Sequence, residues 1–332
     1  MAMANELEFP LVVPDGYPLL ASEPEFNAER HLQIETPEEV LSLRDLGYSP
    51  ADIEECPCDF GVTSVFRLLS DEGAACLLEV ARKLEPYARS NARISRNVRG
   101  GVYQSKFLRD LCLSPEVTEA MSQICGIPLL PHTIPHQLGH MNFNPRDIGK
   151  NVDKWHVDTL RFDFVLFVTD PKSVAGGEFE YYRGTKHEVA ALTEAGKALD
   201  PGKIVAPDMP GPGYAVMQQG NMVVHRAKGL TEPGERITMV NGYVPRDIGF
   251  PDFTRFDQLF LVDPKHVAAS EYARHAMWMM REKLSSKLKS FEFSDDRENM
   301  AVTLEELAAT MEKTAADIRD ADSAKIEHFG DG

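Results

Sequence analysis

The sequence predicts a mainly β protein with flanking helices, and three observations predict it. Between about residues 131 and 245, short apolar runs alternate with Gly, Pro, Asn and Asp turns, the punctuation of a β-sandwich or barrel. Ahead of that stretch, apolar residues recur at helical spacing behind Ser and Pro start signals. Beyond Pro264 the helical period returns. We read one structural domain in three stretches. Residues 1–130 form an N-terminal arm and helices packing on the core, residues 131–250 the β core, and residues 251–332 a C-terminal helical extension.

Composition excludes several classes. A chain of 332 residues with 43% hydrophobic and 26% charged residues is ordinary for a globular protein. No apolar run approaches the roughly 18 residues that span a bilayer. The opening residues Met1 to Glu8 lack the basic start and apolar core of a secretory signal. Thirty-five basic against 52 acidic residues give a net charge of −17, which opposes nucleic acid and anionic membranes and favours a small-molecule partner. Of five cysteines only Cys56 and Cys58 are close, and no second pair completes a thiolate zinc site. They read as reduced thiols of a cytoplasmic protein.

Taken in order, residues 1–30 carry prolines and little periodicity, as an extended arm would. A helix is predicted from Thr36, with Pro37 in its first turn, Glu39 closing a capping box and Gly47 ending it. Ser49-Pro50-Ala51-Asp52 repeats the signal for a short helix. Ser70 caps a longer one to about Glu85, with Leu77, Leu78, Ala81 and Leu84 as its stripe. Ser114-Pro115-Glu116 starts another, stopped by Gly126. Between these two helices, Ala92 to Asp110 carries Arg93, Arg96, Arg99, Lys106 and Arg109, a local basic excess that reads as a solvated surface ahead of an arm presenting cations to an acidic substrate.

Candidate strands cover residues 137–144, 155–158, 162–169, 177–183, 214–218, 221–227 and 236–244. The stretch 187–213 starts helix-like and ends in prolines, as an insertion or lid would. After it, residues 272–288 hold a helical stripe with a Met277–Met280 cluster suited to core or a subunit contact. Thr303 and Glu306 form a capping box before a helix over 304–318, and the last dozen residues read as frayed. These C-terminal helices are the candidate contact surface for a homo-oligomer, whose formation the sequence does not fix.

Chemistry gathers at Lys154-Trp155-His156-Val157-Asp158-Thr159. On a strand, residues i and i+2 share a face, so His156 and Asp158 reach one metal together. His225, at the end of a later strand, is the candidate third ligand. Two imidazoles and one carboxylate make a facial triad that leaves open positions on an octahedral iron. Arg236 and Thr238, also two apart, join a guanidinium to a hydroxyl, a good grip for a carboxylate. Asn142 lies on the strand just before the triad, with the pocket as one of its two faces. His132, His136 and His140 are spaced by four, but Pro135 and Gly139 oppose the helix a zinc site would need. Trp155 reads as a wall, one of Tyr181 and Tyr182 as cavity lining, and His187 and Arg226 as surface or supporting groups.

In the order H-x-D…H…R, residues His156, Asp158, His225 and Arg236 resemble the Fe(II)/2-oxoglutarate-dependent dioxygenases, nearest in general look to the phytanoyl-CoA-hydroxylase-like branch. Gly176-Gly177-Glu178-Phe179 resembles the family's glycine turn, residues 219–226 its strand into the distal histidine, and residues 234–238 its oxoglutarate-binding strand. The resemblance covers residues 130–246. It implies a double-stranded β-helix (jelly roll, cupin-like) and Fe(II) on His156, Asp158 and His225. It also implies 2-oxoglutarate as cosubstrate on Arg236 and Thr238, O2 as oxidant, and succinate and CO2 as products. Halogenating relatives look as if they replace the carboxylate at 158 with a small residue, so Asp158 points to hydroxylation, with desaturation, epoxidation or ring formation as variants. Substrate would enter beneath residues 187–213 and the arm 92–110. Two other classes compete: a cupin-like zinc or manganese isomerase or hydrolase that ignores oxoglutarate, and a non-catalytic scaffold.

Overall fold

A computed structural model describes residues 3–91, 93–323 and 325–330. Met1 and Ala2 of the predicted arm, Ala92 of the basic segment, and residues 324, 331 and 332 of the predicted frayed end lie outside the described residues. Thirteen strands are present among the described residues. They are β1 (Val40–Ser42), β2 (Phe60–Thr63), β3 (Phe66–Arg67), β4 (Asn97–Val98), β5 (Leu129–Pro131), β6 (His140–Phe143), β7 (Asp153–His156), β8 (Phe162–Phe167), β9 (Phe179–Tyr182), β10 (Ile204–Val205), β11 (Tyr214–Gln218), β12 (His225–Ala227) and β13 (Ile237–Pro245).

Strands β6 to β13 form a double-stranded β-helix. One sheet runs β11-β8-β13-β6 and the other β10-β9-β12-β7, with every neighbouring pair antiparallel. The chain passes from sheet to sheet at almost every connection, which is what rolls it up. The larger sheet is extended by β2 and β1 at one edge and β4 at the other.

Alternation along the strands divides core from cavity. Met141, Phe143, Ile237, Met239 and Tyr243 point to the helical layer, where they join Phe162, Phe164 and Leu166 of β8. Their neighbours His140, Asn142, Thr238 and Val240 line an internal cavity. All six residues of β8 are buried because it is covered on both faces, which is why it reads as an apolar run broken only by Asp163.

The helical layer is α1 (Ala28–His31), α2 (Pro50–Glu54), α3 (Asp71–Leu84), α4 (Lys106–Cys112) and α5 (Pro115–Cys125). Ser49 and Asp52 complete the predicted capping box of α2, Ser70 caps α3, and Gly126 ends α5 at φ 70°. The helix predicted from Thr36 is not formed. Val40–Ser42 instead pairs with Phe60–Thr63, and a turn leads to Gly47 at φ 91°. Pairing with a sheet edge there outweighs a good local helix start.

Further along come α6 (Lys186–Glu194), α7 (Phe256–Val262), α8 (Lys265–Lys289) and α9 (Arg297–Asp320). Helix α9 begins earlier than predicted, because Asp296 rather than Thr303 caps it. Helix α8 is tied to the body by buried polar contacts. Glu271 accepts from Tyr103 and pairs with His136, and His275 bridges Thr133 and Asp252. The stretch expected to fray is docked in part. Phe329 N–H donates to the Trp155 carbonyl at 2.8 Å and Trp155 N–H to the Gly330 carbonyl at 3.2 Å, so this tail pairs with the outer edge of β7. No helix among the described residues is long and apolar enough to cross a membrane.

Candidate metal centre

His156 ends β7 and His225 begins β12, and the two are direct cross-strand partners in the smaller sheet. Their rings lie 4.2 Å apart between centroids. Asp158 lies just beyond β7, not on the strand as predicted. Its N–H donates to the Gly220 carbonyl at 2.8 Å, which turns the carboxylate back toward both rings. The distances are 3.4 Å to His156 Nε2 and 3.2 Å to His225 Nε2. Ligand atoms of all three fall within 4.8 Å of one another, and no other such group is found among the described residues.

Hydrogen bonds fix the tautomers. His156 Nδ1 faces the Lys154 carbonyl at 2.6 Å and His225 Nδ1 the Val223 carbonyl at 2.9 Å. A carbonyl can only accept, so each Nδ1 carries the proton and each Nε2 presents its lone pair to the shared space in the neutral ring. This is the support that metal-binding imidazoles ordinarily have. Burial pushes the Asp158 carboxyl up, but the His225 charge and bonds from both rings outweigh it and hold it well below the usual range. His156 is lowered by burial and by Arg93. His225 is raised: the Asp158 charge outweighs burial.

Two ionisable groups stand beside the triad with no local signal in the sequence that ties them to it. Arg93 reaches Asp153 at 2.7 Å and Asp158 at 3.4 Å. Asp163, on the cavity face of β8, accepts from Gln218 Nε2 at 3.0 Å, and Gln218 Nε2 lies 3.3 Å from His225 Nε2. Burial and then the nearby Asp158 charge push the Asp163 carboxyl well above the usual carboxylate range. It sits inside an apolar strand run, and only the fold shows that it backs the triad.

Arg236 precedes β13 and is 1% exposed. Its Nε donates to the Gly177 carbonyl at 2.7 Å and its Nη1 to Thr238 Oγ1 at 3.3 Å, with the Phe167 ring 5.3 Å from the guanidinium carbon. Nη2 has no protein partner. Burial draws its pKa down to about 10, which leaves it charged at neutral pH. Gly177 at φ 80° makes this possible: a Cβ there would lie 3.0 Å from Arg236 Cδ. Asn142, opposite Thr238 in the register, faces the same cavity with Oδ1 unpaired.

The triad, Arg236, Thr238 and Asn142 thus line one cavity. Other expectations are corrected. Neither Tyr181 nor Tyr182 lines it; Phe179 does. Residues 187–213 supply no lining. Helix α6 and β10 pack outside the smaller sheet against Trp155, Tyr182 and Val224 instead. Asn91, Arg93, Ile94 and Arg99, with α7 and Ile326 of the tail, complete the lining. Of the basic residues weighed for substrate contact, Arg93 and Arg99 line the cavity and Arg96 and Lys106 do not. His132, His136 and His140 do not converge: they meet His275, Glu271 and Arg99 respectively. His187 is an exposed partner of Asp52, while Arg226 lies over the Trp155 ring at 4.5 Å and also lines the cavity.

The donor set suits ferrous iron, and the buried, half-satisfied guanidinium suits a second carboxylate-bearing ligand. No family model and no curated protein matches the chain. Similar solved structures include the non-heme alpha ketoglutarate dependent epimerase SnoN from nogalamycin biosynthesis, at 16% identity over 57% of this chain and 83% of that one, TM-score 0.42. The carbocyclase SnoK from nogalamycin biosynthesis matches at 17% identity over 62% and 86%, TM-score 0.41. EctD from S. alaskensis, with 2-oxoglutarate and 5-hydroxyectoine, matches at 16% identity over 70% and 87%, TM-score 0.41. At these identities and scores, the functional reading rests on the side chains themselves.

Proposed function

We propose that the chain is an Fe(II)- and 2-oxoglutarate-dependent oxygenase that hydroxylates an unactivated C–H bond of a small organic metabolite, releasing succinate and CO2. One observation carries this reading. Three ligands with tautomers fixed for metal binding share a cavity with a buried guanidinium that has one unpaired edge. His156, Asp158 and His225 would hold the iron. Arg236 and Thr238 would hold the far carboxylate of oxoglutarate, with Asn142 beside them. Bound iron and oxoglutarate would together supply activation of O2, paid for by decarboxylation of the keto acid.

The chain's own contribution is orientation and exclusion of water. Val223 and Lys154 carbonyls place the proton of each neutral ring on Nδ1 and aim each Nε2 lone pair inward. Gly177 and Phe167 lock the guanidinium plane. Asp158 keeps a full carboxylate at the third ligand position, which supports hydroxylation. A zinc isomerase or hydrolase would leave Arg236 without a role.

The test is a substrate screen that follows succinate formation with Fe(II) and oxoglutarate. Native protein purified anaerobically should bind one Fe(II), and His225→Ala should lose iron binding and succinate formation together. Undiminished turnover in that variant would remove His225 from the centre and end the proposal.

A further inference from the structure

The cavity holds two buried donors that neither the metal reading nor the oxoglutarate reading uses. His140 opens β6 and is 9% exposed; Gln137, just before it, is 3% exposed. Arg99 Nη1 lies 3.2 Å from His140 Nδ1. A guanidinium can only donate, so Nδ1 accepts and the imidazole proton sits on Nε2. That Nε2 and the Gln137 Nε2 make no hydrogen bond of normal length and angle within the protein; Asn142, two residues along the same face, is the side chain that comes nearest to bonding the His140 ring. Both residues line the cavity. Two buried N–H groups left unpaired would cost about 1–3 kcal/mol each, so their partner is expected to come from a ligand.

The charge around them decides what kind. Arg99 is matched by Asp263, which it contacts through two nitrogens, and Arg93 by Asp153 and Asp158. Burial and then Arg99 keep the His140 ring neutral. The two cations of this segment that line the cavity are therefore already matched by carboxylates. Around the two donors the lining is apolar. Leu160 packs beside Gln137 at Gly242, and Leu259 and Val262 of α7 lead directly to Asp263. Ile326, a lining residue, is held in place by Gln258, whose amide contacts the Lys325 carbonyl at 2.9 Å and the Glu327 N–H at 3.4 Å.

We infer that Gln137 and His140 recognise the substrate, and that this substrate is a small, largely apolar molecule held through one uncharged carbonyl-type oxygen. Calling the ligand a substrate rests on the oxygenase reading above. The two donors converge on the oxygen, while Leu160, Leu259, Val262 and Ile326 cover the hydrocarbon body. A site built to pair an oxygen strongly rejects analogues that lack it.

ε-Caprolactam serves as the uncharged probe and cyclohexanecarboxylate as the charged one. Binding to the full chain is followed by calorimetry and by the ring signals of 15N-labelled histidine. It is measured both without metal and under argon with Fe(II) and oxoglutarate. The lactam should bind more tightly than the carboxylate and shift the His140 signals. His140→Phe and Gln137→Leu should each weaken it at least ten-fold while Fe(II) and oxoglutarate affinities stay unchanged. His140→Gln, which keeps a donor, should restore much of the binding. Equal lactam binding in the variants, tighter binding of the carboxylate, or no binding of either probe would overturn the inference. Lactam discrimination in a chain that takes up no Fe(II) would uphold the recognition site and overturn the oxygenase reading alone.

Discussion

At the scale of single residues, the site separates what a motif reveals from what only folding assembles. His156, Asp158, His225 and Arg236 were legible because each is the right type at the right spacing, and strand alternation then predicts a shared face. The contacts that bring Asp163 and Arg93 beside the triad were not, since they join residues far apart in the chain. Arg236 invites a direct test. Removing one buried charge-assisted contact costs about 1.5–3 kcal/mol, so Arg236→Ala should raise the oxoglutarate KM on the order of 10- to 100-fold and leave iron affinity intact. Arg236→Lys should recover little, because an ammonium cannot reproduce the fork that meets Gly177 and Thr238 together. An unchanged KM in the alanine variant would place the anchor for the carboxylate elsewhere.

At the scale of elements, turns do as much as strands. Gly176 and Gly177 both have φ near 80°, and the second brings its carbonyl onto Arg236 Nε. In Gly177→Ala the left-handed backbone should cost about 1–3 kcal/mol of stability. The added methyl should also push on Arg236, so oxoglutarate affinity should fall with little change in iron affinity. Calorimetric titrations of the two ligands would show the split, and a parallel loss of both would mean general unfolding. Element prediction succeeded where cap and period agreed, as for α3 and α5. It failed at Val40–Ser42, where a strong helix start yields to pairing with β2, and at α9, where Asp296 captures the N-terminus ahead of Thr303.

At the scale of the whole molecule, a β-sandwich or barrel was legible from the rhythm of short strands and the jelly roll from the family resemblance, but the closure of the cavity was not. Nothing in the composition of α7 or of residues 325–330 announces that they border the cavity. The buried histidines give the whole chain a pH signature. His132 is drawn down to about 3, chiefly by burial, and His140 is lowered for the same first reason. For both, the unfolded chain binds the proton more readily. Their contribution is full above the unfolded value of about 6.5 and is lost as pH falls below it, at about 1.4 kcal/mol per pH unit for each. His225 has the opposite sign, since its raised value favours the folded, protonated form at acid pH. Iron-free protein should therefore lose stability between about pH 6.5 and pH 5 in denaturant titrations, and His132→Phe should flatten that dependence. The same acid range should weaken iron binding, because a proton competes for His225 Nε2.

The pairing of Phe329 and Gly330 with Trp155 bears on solubility as well as on shape. Strand β7 is the last strand of its sheet, and an open row of backbone donors and acceptors there would be a template for another molecule. The docked tail blunts that row. Prising it off, for instance with Phe329→Asp and Ile326→Asp together, should produce concentration-dependent self-association in sedimentation experiments. A strictly monodisperse double variant would show that the edge of β7 protects itself.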